Sequence, residues 1–270
     1  MNIGFLTFAG GDFIWNLALR RIRNQAKHGK VFSNIQIYEP RHLFGLATDA
    51  DLHFIHNNVR GYGFWIWKPI IILDYLNNHP EIEAILYADA GCDLNFNPHS
   101  LVTWNGYIEQ LDQHEVIAFK MELLERAWTK QEVFELHPEF EQYRDKEQLL
   151  GGIFLMKRDY AIKFCTKWLE IMRSDSYKLL DNSFDPKKQD VSFQLPRHDQ
   201  SIFSLLTKQS AQALILDSLT ELYFEPDWKR GINYPLWTSR NKSFIPKYSS
   251  SGIGKLIKFG ERIFQRLVLP

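Results

Sequence analysis

The feature that most constrains the fold is an apolar run near the middle of the first half of the chain. Ala84 to Ala88 read AILYA without a charged side chain, which is typical of a strand buried on both faces of a parallel sheet. The next five residues, DAGCD, put Asp89 and Asp93 at the carboxyl end of this strand. Ligands of open α/β sheets bind at that end, so both acids are candidates for holding a cation or a sugar hydroxyl.

Strands and helices alternate along the rest of the chain. Apolar runs and helical spacing predict strands at residues 3–8, 31–38, 84–88, 116–121, 151–156 and 213–217, and helices at residues 13–28, 69–77, 100–114, 160–173 and 198–207. The first strand ends in Ala-Gly-Gly-Asp, a glycine turn that either opens a nucleotide site or simply turns the chain. We therefore predict a single α/β domain over residues 1–247, Rossmann-like, with a mostly parallel central sheet.

Residues 248–270 differ in kind from this domain. A short serine-rich tether precedes a pattern that places apolar residues on one face of a helix over residues 253–269. Its basic residues lie mainly elsewhere, which suits a C-terminal amphipathic helix lying in a membrane interface. Docking of this helix on its own domain, or on a partner, is an equally open alternative.

Charge and cysteine content narrow the partners and the location. Lys+Arg and Asp+Glu number 32 each, so no net positive charge favours nucleic acid as a partner. The two cysteines lack metal-site spacing and favour a reduced, intracellular protein. The N-terminus lacks a signal-peptide pattern, and no segment has the roughly 20 apolar residues needed to cross a bilayer. We expect a cytoplasmic protein, with peripheral contact at the inner face of the cell membrane through the C-terminal helix.

Four short motifs, taken in order, resemble a known enzyme family. They are Lys68-Pro69 before a helix, ILYADAGCDLNFNPHSL from residue 85, LGGIFL from residue 150 and HDQSIF from residue 198. This order is similar to that of GT-A-type nucleotide-sugar glycosyltransferases, in particular their glycogenin-like and mannosyltransferase-like branches. RGYGFWIWKP together with YADAGC also looks like uncharacterised bacterial sugar transferases of surface polysaccharide. The resemblance implies transfer of a sugar from a nucleotide-diphosphate sugar to a glycan or glycolipid acceptor, in lipopolysaccharide or capsule synthesis.

The resemblance also implies roles for individual residues. The donor side comprises Phe8, Ala9, Gly10, Arg60, Tyr62, Trp67, Lys68, Asp89, Ala90 and Gly91, and the acceptor side Gly151, Gly152, His198 and Gln200. If the transfer inverts the anomeric configuration, Asp199 is the candidate catalytic base, because a carboxylate must take the proton of the acceptor hydroxyl. If the configuration is retained, Asp199 or Gln200 is instead expected beside the anomeric carbon. Asp89 and Asp93 are the candidate ligands of Mn²⁺ or Mg²⁺, since these hard cations bind carboxylate oxygens. Gly91 stands where the family's metal motif has its second Asp, so a metal site depends on Asp93.

Plain structural interpretations stand beside these roles. Lysine is usually solvated, so Lys68 need not meet a diphosphate, and Asp199 is also suited to cap a helix. Of Trp65 and Trp67, we expect one to contact a ligand and the other to pack in the core. Weaker candidates for acceptor contacts are Glu122, Glu125, Trp128 and Lys130.

Two other functions remain open for the whole chain. The Gly91 departure is compatible with a carbohydrate-binding or assembly protein that has lost catalysis. A sugar nucleotidyltransferase is less favoured, because such enzymes carry a basic residue in the loop after the first strand and FAGGDF has none.

Overall fold

The computed structural model describes residues 1–11, 13–217 and 231–246. Its strands are β1 (Ile3–Phe8), β2 (Asn34–Tyr38), β3 (Ala84–Ala88), β4 (Asp93–Leu94), β5 (Val116–Leu124), β6 (Glu147–Leu149), β7 (Ile153–Lys157), β8 (Ala213–Asp217) and β9 (Leu236–Trp237). Its α-helical segments are α1 (Phe13–Gly29), α2 (Pro40–Leu43), α3 (Asp49–Asn57), α4 (Gly61–Phe64), α5 (Trp67–Asn78), α6 (Pro98–Gln113), α7 (Glu125–Trp128), α8 (Gln131–Leu136), α9 (Arg158–Arg173) and α10 (Asp199–Gln209). Two short 3₁₀ segments span Pro138–Tyr143 and Ser174–Tyr177.

Seven of these strands form the central sheet. Their order is β2-β1-β3-β7-β5-β6, and β8 also pairs with β5. β1 runs parallel to β2 and β3, and β5 runs parallel to β8. β7 is antiparallel to both β3 and β5, and β6 is antiparallel to β5, so five of the seven strands point the same way. The predicted α/β fold with a mostly parallel sheet is confirmed.

Helices cover both faces of the sheet because its central strands are apolar on both sides. All five residues of β3 are buried, and they alternate between two cores. Ile85 and Tyr87 join the core that includes side chains of α5, α9 and α10. Leu86 and Ala88 join the core that includes side chains of α1 and α6. This layering leaves the carboxyl ends of β1 and β3 as the open edge where a ligand can bind.

Some predicted boundaries shift, and one small sheet is new. β2 begins at Asn34 rather than at residue 31, and α5 begins at Trp67 rather than at Pro69. Proline is tolerated inside the first helical turn because backbone N–H groups there have no intrahelical partner. β4 and β9 form a separate two-stranded antiparallel sheet, which is too short to leave a periodic pattern in the sequence.

The segment α4 has the opposite hand to an ordinary helix. Every residue from Gly61 to Trp65 has a positive φ, between 51° and 82°. Glycine adopts this conformation freely, but each of the other three residues pays a conformational cost of about 1–2 kcal/mol. Bonds such as that from Trp67 Nε1 to the Gly61 carbonyl, 3.0 Å long, hold the turn.

Part of the prediction falls outside the described residues. The predicted boundary at residue 247 and the tether and amphipathic helix of residues 248–270 belong to that part. Among the residues that are described, none of the helices combines the length and apolar character required to span a bilayer.

Candidate active site

A pocket of about 970 Å³ opens where β1 and β3 end. The residues after β1 and after β3 form two of its walls, and the segments around α4 and the start of α10 form others. Of the residues predicted for the site, Phe8, Ala9, Gly10, Arg60, Tyr62, Trp67, Lys68, Asp89, Ala90, Gly91, Gly152, His198, Asp199 and Gln200 all line it. Gly151 and Asp93 do not, although the Gly151 carbonyl accepts a hydrogen bond from the lining residue Lys68.

Lys68 is the centre of this site. It lies in the first turn of α5 and its side chain is only 3% exposed. Its ammonium is 2.8 Å from Asp199 Oδ2 and 3.4 Å from Asp89 Oδ1, and it donates to the Gly151 carbonyl at 2.9 Å. The alternative of a solvated lysine is therefore wrong. One buried cation connects three segments that are far apart in the sequence.

Asp89 is the carboxylate of this group that faces the pocket. Its side chain is 37% exposed, compared with 4% for Asp199. Tyr87 donates a hydrogen bond of 2.6 Å to Asp89 Oδ1, and the Asp89 N–H donates to the Gly152 carbonyl at 2.8 Å. A Cβ on Gly152 would lie 2.7 Å from Asp89 Oδ2, so only glycine leaves room for this carboxylate.

Burial and charge set the protonation of the group. Burial alone would lower the pKa of the Lys68 ammonium, but the charges of Asp199 and Asp89 outweigh it and raise that pKa. Lys68 therefore stays charged. Burial raises the pKa of Asp199 to about 7, although Lys68 opposes the shift. A carboxyl with such a pKa can exchange a proton near neutral pH.

Asp93 has a different environment. Its side chain is fully buried, and Oδ1 lies 3.0 Å from Arg21 Nε. Gln25 donates to it at 2.8 Å, Asn241 donates at 3.1 Å, and the Ser239 hydroxyl donates as well. Asp93 therefore has a structural role at the base of the turn, which corrects the expectation that it could join Asp89 at a metal ion.

The donor set does not fit a divalent metal ion. Mg²⁺ and Mn²⁺ need several oxygen ligands around one point. Within residues 1–11, 13–217 and 231–246, no three His, Cys, Asp or Glu side chains form such a group. Gly91 offers no side-chain ligand, and Lys68 already lies between the two carboxylates of the pocket.

Aromatic side chains also line the pocket. Trp67 is buried and stacks on Phe8 at 4.0 Å between ring centroids, whereas Trp65 is only partly buried. Trp65 is therefore the more accessible of the two, and Trp67, the one predicted for the donor side, lines the pocket but packs largely in the core. His198 stacks on Phe64 at 4.4 Å and donates from Nδ1 to the Leu180 carbonyl at 2.7 Å. Burial lowers its pKa to about 4, so it is neutral.

Several lining residues were missed by the sequence analysis. Arg197 directly precedes the HDQ motif, and Arg240 and Lys242 lie in the irregular segment near the end of the described chain. Trp15 lies under Lys242, whose ammonium is 4.9 Å from the centre of the ring. The sequence Arg240-Asn241-Lys242, with two basic residues one position apart, is the one signal in the sequence for this part of the site, and it is weak without knowledge of the fold.

The weaker acceptor candidates mostly lie elsewhere. Glu125 is fully buried and pairs with Lys208 at 2.6 Å, and Lys130 is buried against Asp181 at 3.0 Å. Trp128 alone of the four lines the pocket. The alternation of acids and bases after β5 therefore indicates a structural network rather than a ligand site.

Comparisons with known proteins support the fold. No family model matches the chain, and no curated protein matches it. A solved glycosyltransferase involved in the glycosylation of the major capsid of PBCV-1 is similar over 97% of this chain and 100% of that chain, with 10% identity and a TM-score of 0.51. Apo mouse xyloside xylosyltransferase 1 is similar over 91% of this chain and 100% of that one, with 12% identity and a TM-score of 0.48. The chain thus shares an α/β, GT-A-like fold with a glycosyltransferase.

Proposed function

We propose that this protein transfers a sugar from a nucleotide-diphosphate sugar to a glycan or lipid-linked acceptor, as in the synthesis of bacterial surface polysaccharide. One observation carries the proposal: an accessible Asp89 at the end of β3 is held by buried Lys68 in a pocket that has both aromatic and cationic walls. Aromatic faces suit sugars and bases, and cations suit a diphosphate.

The proposed chemistry divides the two carboxylates by exposure. Asp89 accepts hydrogen bonds from hydroxyl groups of the donor, because it is the carboxylate that faces the pocket. Asp199 accepts the proton of the acceptor hydroxyl, for which a pKa of about 7 is well matched. The acceptor oxygen then bonds to the anomeric carbon as the bond from that carbon to the diphosphate oxygen breaks. The electron pair of the broken bond stays on the departing diphosphate.

A panel of nucleotide sugars tests the proposal. Binding of a donor raises the unfolding temperature by mass action, and release of nucleoside diphosphate reports hydrolysis or transfer. We expect Asp89→Asn to weaken donor binding, and Asp199→Asn to lower turnover with donor binding kept. Asp112→Asn is the matched control, because it alters an exposed carboxylate of α6 that lies outside the pocket lining.

Two results would argue against parts of this scheme. If no nucleotide sugar binds, the proposed function fails as a whole. If donors bind but are never turned over, the Gly91 departure supports a carbohydrate-binding protein without catalysis. Full turnover by Asp199→Asn would leave Asp199 as a structural partner of Lys68 and remove it as the base.

A further inference from the structure

The wall of the pocket near Gly91 carries positive charge without an acidic partner in the described chain. Arg197, Arg240 and Lys242 all line the pocket, and none forms an ion pair with a carboxylate within the described residues. Asp89 and Asp199 are the acids of the described lining, and Lys68 lies between them. Unpaired cations in a concave wall create a field that attracts anions.

Arg197 is held in place by its neighbours. Its guanidinium carbon lies 4.4 Å from the centre of the Trp128 ring. Burial lowers its pKa, and the nearby positive charge of Arg240 lowers it further. Two guanidinium groups that line the same pocket and repel each other are stabilised when an anion binds there, so the pair favours a polyanion as ligand.

The backbone of Arg240 lies beside Gly91, the residue at which the expected metal motif lacks its second carboxylate. A Cβ on Gly91 would lie 3.6 Å from the Arg240 Cα. The Gly91 carbonyl accepts a bond of 2.7 Å from the Asn241 N–H, which attaches the segment that carries Arg240. Arg240 itself is exposed and has a φ of 46°.

We infer that Arg197 and Arg240 bind the diphosphate of the donor directly, in the role that a divalent metal ion has in a site with two aspartates. This inference rests on the proposed function. Guanidinium groups bind phosphate oxygens in a bidentate manner, with charge-assisted hydrogen bonds. They also stabilise the negative charge that develops on the diphosphate as it departs. Diphosphate binding therefore needs no added metal.

Binding measurements on the full chain test this inference. The probes are inorganic pyrophosphate and a panel of nucleoside diphosphates, titrated calorimetrically in EDTA and again with Mn²⁺. We expect at least one probe to bind in EDTA, with less than about a twofold change in affinity on adding Mn²⁺. Arg240→Asn and Arg197→Gln should each weaken binding about tenfold or more, as loss of a charged hydrogen bond does.

The variants are chosen so that folding does not obscure the result. Arg240 is exposed, and asparagine accepts a positive φ better than most residues, so Arg240→Asn keeps the backbone conformation. Arg23→Gln is the control, because Arg23 is an exposed arginine of α1 outside the pocket lining. We expect it to leave affinity unchanged. Unfolding temperatures of all three variants report whether each remains folded.

The outcomes separate this inference from the proposed function. If a nucleoside diphosphate binds only with Mn²⁺ and the arginine substitutions change nothing, the inference is overturned while glycosyl transfer stands. If a nucleotide sugar is turned over equally well by the wild type and by a variant that combines Arg197→Gln with Arg240→Asn, the inference is again overturned alone. If no diphosphate compound binds under either condition, both proposals fail.

Discussion

Asp89 and Asp93 lie four residues apart, each paired with a buried cation, yet they end in opposite environments. Asp89 is 37% exposed and pairs with Lys68 at 3.4 Å. Asp93 is fully buried and pairs with Arg21 at 3.0 Å. The first pair opens on the pocket, and the second is closed on all sides by protein. Spacing in the sequence does not distinguish the two acids.

The two ion pairs have different roles in the turn after β3. Arg21 donates to the carbonyls of Ala90 and Cys92 at 2.8 and 2.7 Å, and to those of Asn241 and Ser243 at 2.6 Å each. The closed pair therefore joins the turn after β3 to the segment that carries Arg240. The open pair leaves a carboxylate where a ligand can reach it. One pair supports the wall of the site, and the other supplies its chemistry.

Loss of Arg21, the cation of the closed pair, should have the largest effect on stability. Arg21→Met leaves Asp93 buried and uncompensated, which typically costs about 3–5 kcal/mol of unfolding free energy. Urea denaturation measures the change. Arg23→Met, an exposed position on the same helix, should cost less than about 1 kcal/mol. Equal stability of the two variants would remove the structural role assigned to this pair.

Loss of Lys68, the cation of the pair that opens on the pocket, should lower the unfolding free energy somewhat less. The size of this loss should depend on pH. Lys68→Met leaves Asp199 buried without its partner, at a cost of about 3 kcal/mol at a pH of about 8. The pKa of Asp199, already about 7 with Lys68 present, rises further. The folded state then holds a proton that the unfolded state releases, so stability falls as pH rises from about 5 to about 8.

Urea denaturation of Lys68→Met at a pH of about 5 and of about 8 tests whether stability falls as pH rises. Lys163→Met, an exposed lysine on α9, should show little loss at either pH. A Lys68→Met variant that is more stable at the higher pH would contradict the assignment of Asp199 as the uncompensated group.

The two carboxylates themselves should separate activity from stability. Asp89→Asn should lower kcat/KM for the donor about 100-fold, or about 2.7 kcal/mol, mainly through weaker donor binding, because a preorganised charge at the ligand is lost. Its unfolding free energy should change by less than about 1 kcal/mol. Asp93→Asn should do the reverse, with normal turnover for each folded molecule. Steady-state kinetics and urea denaturation of both variants measure these effects. Loss of activity alone in both variants, or loss of stability alone in both, would contradict the comparison.

The smallest effect should come from crowding the open carboxylate. Gly152→Ala brings a methyl group within 2.7 Å of Asp89 Oδ2, so the carboxylate must shift from its present position. We expect a loss of turnover of about tenfold from misplacement. Gly106→Ala is the control, because a Cβ there meets nothing within 4 Å. That helical substitution should stabilise the protein by up to about 1 kcal/mol.

Much of the architecture was predictable because periodicity reports burial. The apolar runs of β1 and β3 identify strands buried on both faces, and Asp89 follows from the position of β3 alone. Lys68 and Asp199 were also identified from short motifs, although their contact was not. That contact joins residues 131 positions apart, and local pattern carries no information on such pairing.

The sequence does not show which charged side chains are buried away from solvent and from the pocket. Asp93 and Arg21 lie 72 positions apart in the sequence, and only tertiary packing brings them together. Arg197 and Arg240 line the same pocket for the same reason. A charged residue in a sequence looks alike whether it is solvated, buried in a pair or directed into a pocket. The distinction arises from packing, which periodicity does not describe.

The left-handed turn at Gly61–Trp65 has a consequence for chemical synthesis. Its backbone is the mirror image of an ordinary helical turn, so L-residues there work against their own chirality. A D-tyrosine placed at position 62 by peptide ligation would adopt this conformation without that cost. Part of the pocket wall therefore has a backbone conformation that L-residues other than glycine disfavour, and a D-residue would adopt it more readily.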